Sequence, residues 1–96
     1  MSIAPTPQMV EFRQRIDDLD RKIIDLLGAR FDIIAEVAAH KKAHNIPSVL
    51  ADRVEEVKEN AAKLGQDRAI DPDFMRRLYA IIIDHACACE DKVIKG

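Results

Sequence analysis

Apolar side chains recur at Phe12, Ile16, Leu19, Ile23 and Leu26, then at Ile33 and Val37, spaced alternately by four and three. That spacing marks one face of a helix. A second, adjacent line runs Ile24, Leu27, Phe31, Ile34 and Ala38. Both lines carry a cation where an apolar residue is due: Arg30 occupies a place in the first, and Lys41 follows Ala38 in the second. The pattern predicts one uninterrupted helix from about Pro7 to Ala43. Thr6 is its expected cap and Pro7 its first helical residue, and residues 1–6 read as a disordered tail. Gly28, a weak helix former inside this run, suggests a close approach of backbone or ligand. Asn45, Ile46 and Pro47 disfavour continuing the helix.

Ser48 then reads as the opening of a second helix, with Val49, Leu50, Val54, Val57, Ala61 and Leu64 as its apolar side and Gly65 as its stop. Glu55, Glu56 and Glu59 face Lys58 and Lys63 across a solvated surface. Asp71 followed by Pro72 is a cap and first-turn signal for a third helix to about Ile94. Its inner lines read Phe74, Leu78, Ile81, His85 and Tyr79, Ile83, Ala86, the second continuing to Glu90. Neither repeats nor strand-like alternation are visible, so the fold class is all-α, with residues 7–96 as a single helical domain of three helices.

Length then implies a quaternary state. The first helix would be about 55 Å long, whereas a compact chain of this size has a radius of gyration of about 13 Å. Two shorter helices cover only part of its stripe. The expectation is an intertwined homodimer in which two long helices lie against each other.

The chain of 96 residues is 48% hydrophobic and 4% aromatic, with 15 Lys and Arg against 17 Asp and Glu. A net charge of −2 speaks against general affinity for nucleic acid or a membrane surface, so anion binding must come from placement. Cys87 and Cys89, two apart on a helix, diverge by about 200° and cannot pair with each other. They read as partly buried thiols of a reducing, cytoplasmic protein. No leader pattern and no membrane-length apolar run is seen. Metal-ligand spacing, a phosphate loop and a nucleophilic triad are also missing, so neither a metal nor a cofactor is expected.

Four cations, Arg13, Arg30, Lys41 and Arg53, form the candidate anion clamp, since the planar fork of Arg gives carboxylates two parallel hydrogen bonds. Arg30 and Lys41 are eleven residues apart, which places them on one face about 16 Å from each other. Arg13 precedes Lys41 by 28 residues, or about 42 Å along the helix, too far to share one small ligand within a chain. In an antiparallel dimer the start of one long helix meets the far half of its partner, so Arg13 would be supplied in trans. Arg15, Arg21, Lys22 and Lys42 interrupt no apolar line and read as solvated. Glu90 prolongs an apolar line and is the acid out of place. His85 reads as a core histidine, and His40 and His44 as exposed.

Taken together the segments resemble the all-helical chorismate mutase family, which includes isochorismate pyruvate lyases and aminodeoxychorismate mutases. Phe12-Arg13-Gln14-Arg15-Ile16 with Leu19-Asp20 is similar to its opening motif, Leu26-Leu27-Gly28-Ala29-Arg30 to the leucine pair before its second Arg, and Val37-Ala38-Ala39-His40-Lys41 to the segment carrying its Lys. Ile46-Pro47 and Asp52-Arg53 resemble the loop and the second-helix Arg, and Asp71-Pro72-Asp73-Phe74 through Ile81-Ile82-Ile83-Asp84 resembles the third helix. The resemblance implies that the partner's copy of Arg13, together with Arg30, holds the two carboxylates of a chorismate-like dianion. It also implies that Lys41 donates to the ether oxygen and that Arg53 supports a carboxylate or the second helix.

Glu90 falls where family mutases often carry Gln, the second donor to that oxygen; Glu donates only when protonated, so turnover is expected to decline as pH rises. Leu50 and Val54 stand where well-known mutases present acids near the ring hydroxyl, and Ala86 where some carry Ser. The implied reaction is the Claisen rearrangement of chorismate to prephenate in aromatic amino acid biosynthesis. It is pericyclic and uses neither nucleophile, metal nor general base. The alternatives are pyruvate elimination from isochorismate, rearrangement of aminodeoxychorismate, and a non-catalytic helical dimer that binds partners.

Overall fold

The computed structural model describes residues 3–96, which form three helices and, among the described residues, no strand: α1 (Pro7–His44), α2 (Ala51–Gln66) and α3 (Pro72–Lys95). Residues 1 and 2 of the expected tail lie outside the described residues. Thr6 caps α1 as the sequence implied, its hydroxyl oxygen accepting from the Met9 N–H at 3.2 Å. At the other end Asn45 turns left-handed with φ 56°, and the Ile46 N–H returns to the Lys41 carbonyl at 2.9 Å. This six-to-one closure satisfies an orphan carbonyl and terminates the helix.

The second helix departs from its expected limits at both ends. It opens at Ala51, with the extended Leu50 at the cap position and no side-chain cap. Ser48 does not open it, because its hydroxyl donates instead to Asp91 Oδ1 at 2.5 Å. Nor does Gly65 stop it. The helix runs on to Gln66, the left-handed residue is Ala69 with φ 57°, and the Ile70 N–H closes on the Gly65 carbonyl at 2.9 Å. Gly65 answers a different demand: a Cβ there would lie 2.6 Å from Met75 Cγ, so the missing side chain lets α3 approach α2. Gly28, where a close approach was expected, has nothing within 4 Å of its Cβ position. The third helix starts as read, with Asp71 Oδ2 accepting from the Phe74 N–H at 3.3 Å and Pro72 at its first position.

The chain divides into two compact units, one ending at Asp32 and the other spanning Ile33–Gly96. In the first, none of residues 3–32 is buried. In the second, α2 and α3 pack together and the buried set is Ala38, Ala61, Ala62, Gly65, Ile83, Ala86 and Glu90. Four of these seven are Ala, so the close packing relies on backbone proximity more than on bulky side chains. Arg76 adds a polar tie between α3 and α2: its guanidinium donates to both Glu59 oxygens, at 2.9 and 3.1 Å, and to Asp73 at 2.8 Å. Glu59, read as part of a solvated surface, is therefore a cross-helix partner.

The paired apolar lines separate clearly on α3 and in part on α1. On α3 the line Tyr79, Ile83, Ala86, Glu90 turns inward, while Phe74, Leu78, Ile81 and His85 are exposed, Ile81 at 68%. His85 is thus not a core histidine, and Cys89 Sγ lies 3.6 Å from its Nε2. On α1, Leu27, Phe31, Ile34 and Ala38 of the second line are half-buried or buried but Ile24 is exposed, whereas Phe12, Ile16, Leu19, Ile23, Leu26 and Ile33 of the first line are exposed and Val37 is half-buried. On α2, Leu50 and Leu64 are exposed as well. No described helix is long and apolar enough to cross a membrane.

Candidate active site

The two charged residues that prolonged apolar lines, Lys41 on α1 and Glu90 on α3, meet. Lys41 Nζ stands 2.7 Å from Glu90 Oε1, with the side chains only 13% and 5% exposed. Lys41 lies in the last turns of α1, where cations favour the negative end of the helix dipole. Glu90 comes from the inward line of α3, three turns after Tyr79. The ammonium also donates to the Ser48 carbonyl at 2.9 Å. Glu90 Oε1, though close to the charge, has no hydrogen bond of its own. The contact is charge to charge, and an ammonium with three donors keeps an N–H free for a further acceptor.

Such a pair is held at a cost, since both ions have left water; removing one partner alone strands the other and typically destabilises by about 3–5 kcal/mol. In the free protein Glu90 offsets the Lys41 charge. An arriving anion therefore competes with Glu90 for a cation already shielded from solvent.

Cys87 borders this centre, its Sγ 4.0 Å from the Ser48 carbonyl. Burial first, and then the Glu90 carboxylate, push its thiol above the ordinary range, with Lys41 opposing. Held neutral, Cys87 is a poor nucleophile. Both cysteines are free and half-buried, as read. Among the described residues no group of His, Cys, Asp and Glu is arranged to hold a metal ion.

Of the remaining predicted site residues, Arg30 is half-buried, and its Nη1 is buried without an acceptor. A guanidinium nitrogen in that condition suits an incoming anion. Arg13 is exposed. Arg53 is exposed and ion-paired with Glu56 on its own helix, not gathered into the Lys41–Glu90 centre. Leu50 and Val54 are exposed and half-buried, respectively, and neither offers a polar atom to a ligand. His40 and His44 are exposed and stack edge to face with ring centres 4.2 Å apart.

Sequence reading missed Ser48 and Asp91 as members of the centre. They are 43 residues apart; Ser48 resembled a helix cap, and Asp91 one acid among many. No periodicity relates a loop carbonyl to a lysine seven residues earlier.

Comparison with known proteins bears directly on these segments. The family model described as chorismate mutase type II matches residues 12–91, which include all five candidate site residues. The chain is 35% identical to a 4-amino-4-deoxychorismate mutase of Streptomyces pristinaespiralis over 95% of its own length and 70% of that relative. A 4-amino-4-deoxychorismate mutase of Streptomyces venezuelae is 32% identical over 91% of this chain and 84% of the relative. A chorismate mutase of Methanocaldococcus jannaschii is 25% identical over 92% and 89%. With the match running from the first candidate Arg past the buried Glu, the chain belongs to the chorismate mutase type II family.

Proposed function

We propose that the protein is a mutase that rearranges a chorismate-type enolpyruvyl ether, converting chorismate to prephenate, and that residues 7–96 act as one catalytic domain. The observation that carries this reading is the shielded Lys41 ammonium, paired with Glu90 and retaining a donor. The rearrangement breaks a C–O bond and forms a C–C bond within one molecule. Negative charge grows on the ether oxygen in the transition state. A preorganised cation with little water around it stabilises that charge and holds the folded conformer of the substrate.

In this reading Lys41 donates to the ether oxygen, Arg30 and the partner subunit's Arg13 grip the two carboxylates, and Arg53 supports a carboxylate or the second helix, on which it pairs with Glu56. Glu90, beside Lys41, is the second group at the ether oxygen, and Glu90→Gln, which supplies an amide donor there, is expected to keep turnover. The homodimer is supported by the uncovered line Phe12, Ile16, Leu19, Ile23 and Leu26, an apolar surface a second copy would bury. A cytoplasmic setting in aromatic amino acid biosynthesis accords with the two free thiols and the family.

A second reading, rearrangement of 4-amino-4-deoxychorismate, is favoured by Leu50 and Val54, which supply no acceptor for a ring hydroxyl, and by the two Streptomyces relatives. The test is incubation of purified protein with chorismate, 4-amino-4-deoxychorismate and isochorismate, with products identified by mass spectrometry. Prephenate as the fastest product is the expected result. Its 4-amino counterpart would establish the second reading, pyruvate release from isochorismate would make the protein a lyase, and no turnover of any would leave a binding dimer.

A further inference from the structure

We propose that Ser48 and Asp91 form a latch that positions the Lys41 ammonium, a role that rests on the reading of Lys41 as the donor to the ether oxygen. Lys41 has a flexible four-carbon stem, and Glu90 holds it by charge without an aligned hydrogen bond. Direction comes from the Ser48 carbonyl, 2.9 Å from Nζ. That carbonyl belongs to the short connection between α1 and α2, where the flanking Pro47, Val49 and Leu50 are exposed and Ser48 itself is half-buried. A carbonyl in such a segment is a fixed acceptor only if the segment is fastened.

The fastening is the Ser48 hydroxyl, which donates to Asp91 Oδ1 at 2.5 Å, in the short range of a hydroxyl bound to a carboxylate. Lys95 Nζ lies 3.8 Å from the same oxygen. Asp91 follows Glu90 directly, so a single turn of α3 supplies both the charge partner of Lys41 and the anchor for its carbonyl acceptor. The Cys87 thiol, 4.0 Å from the Ser48 oxygen, borders it from the same helix. Ser48 and Asp91 are positioning residues; neither needs to touch substrate.

Two readouts test the latch. In steady-state assays, Ser48→Ala and Asp91→Ala each lower kcat about tenfold with KM held within about twofold, as a displaced donor does. The double variant loses no more than either single one, because both remove the same bond. Ser48→Thr keeps the hydroxyl and wild-type kcat, while the nearly isosteric Ser48→Val behaves like Ser48→Ala, a contrast that survives should Ser48→Ala fold poorly. Independently of turnover, acetylation of Lys41 by an N-hydroxysuccinimide ester, read by peptide mass spectrometry against Lys42 in the same sample, rises about fivefold in Ser48→Val over Ser48→Thr. Equal Lys41 labelling in those two variants, or losses that multiply in the double variant, would overturn the latch. Unchanged turnover in Lys41→Met would instead overturn the assignment of Lys41, with the labelling experiment still deciding whether the latch exists.

Discussion

The apolar line that begins at Phe12 and the one beside it meet different fates along α1. Among the described residues up to Asp32 no residue is fully buried; Leu26 is 70% exposed, and Ile16, Leu19 and Ile23 are also open. From Ile33 onward the same helix has Ala38 at 0% exposure and leads into the Lys41 contact with Ser48 and Glu90. Helical periodicity is equally regular in both stretches. It reports which side chains share a face, and says nothing about whether that face is covered within one chain. The lesson is that the candidate chemistry assembles where α1 is met by other elements of its own unit, while the first unit offers a surface for something else to cover.

The largest expected effect comes from spoiling that uncovered line. Leu19→Glu combined with Ile23→Glu places two charges where a second copy would desolvate them, at several kcal/mol. Sedimentation velocity should then show lone subunits, with turnover lost. Gln14→Glu, about 200° around the helix from Phe12, should leave both unchanged. A double-Glu variant that sediments like wild type and still turns over would mean the first unit is covered in some other way.

Next in size is Lys41→Met. It is expected to lower kcat/KM by about 100-fold or more, as loss of an oxyanion donor does, and to destabilise by about 3 kcal/mol because Glu90 is left unpaired. Adding Glu90→Gln should restore much of the thermal stability without the activity. Denaturant melts and initial rates on the same samples separate the two effects.

The glycines give a smaller contrast of opposite sign. Gly28→Ala, in the first unit with open space at its Cβ, should stabilise by up to about 1 kcal/mol from helix propensity. Gly65→Ala forces Met75 aside and should destabilise on balance, since overpacking costs about 1–3 kcal/mol against the same propensity gain. Urea midpoints measure both, and a loss of activity in Gly28→Ala would point to a partner or ligand near that position.

The smallest effect is on pH. The Arg76 guanidinium holds the Glu59 carboxyl below its ordinary value. A depressed carboxylate adds stability that is present above its unfolded pKa and is lost as pH falls through the folded one. Wild type should therefore lose slightly more stability than Glu59→Gln between neutral and strongly acidic pH, with melting temperatures converging at the acid end.

Much of the fold was legible in the residues. Thr6 before Pro7, Asp71 before Pro72 and Asn45 at the end of α1 are local signals, complete within a few residues, and each acts as read. So is the oddity of Lys41 and Glu90, because a charge continuing an apolar line is visible without coordinates. Ser48 and Gly65 were misread, since each satisfies a local rule, cap or stop, while its actual partner lies on α3.

The sequence by itself determined three helices, their periodic faces and the identity of the charged residues set into them, because those depend on neighbours within a turn or two. The tertiary structure decided which of two parallel lines turns inward on α3, which residues of the two lines are covered on α1, and that Ser48 and Asp91 join Lys41 and Glu90. Burial and pairing are settled by whichever distant segment arrives, and helical spacing repeats identically on the covered and the uncovered face.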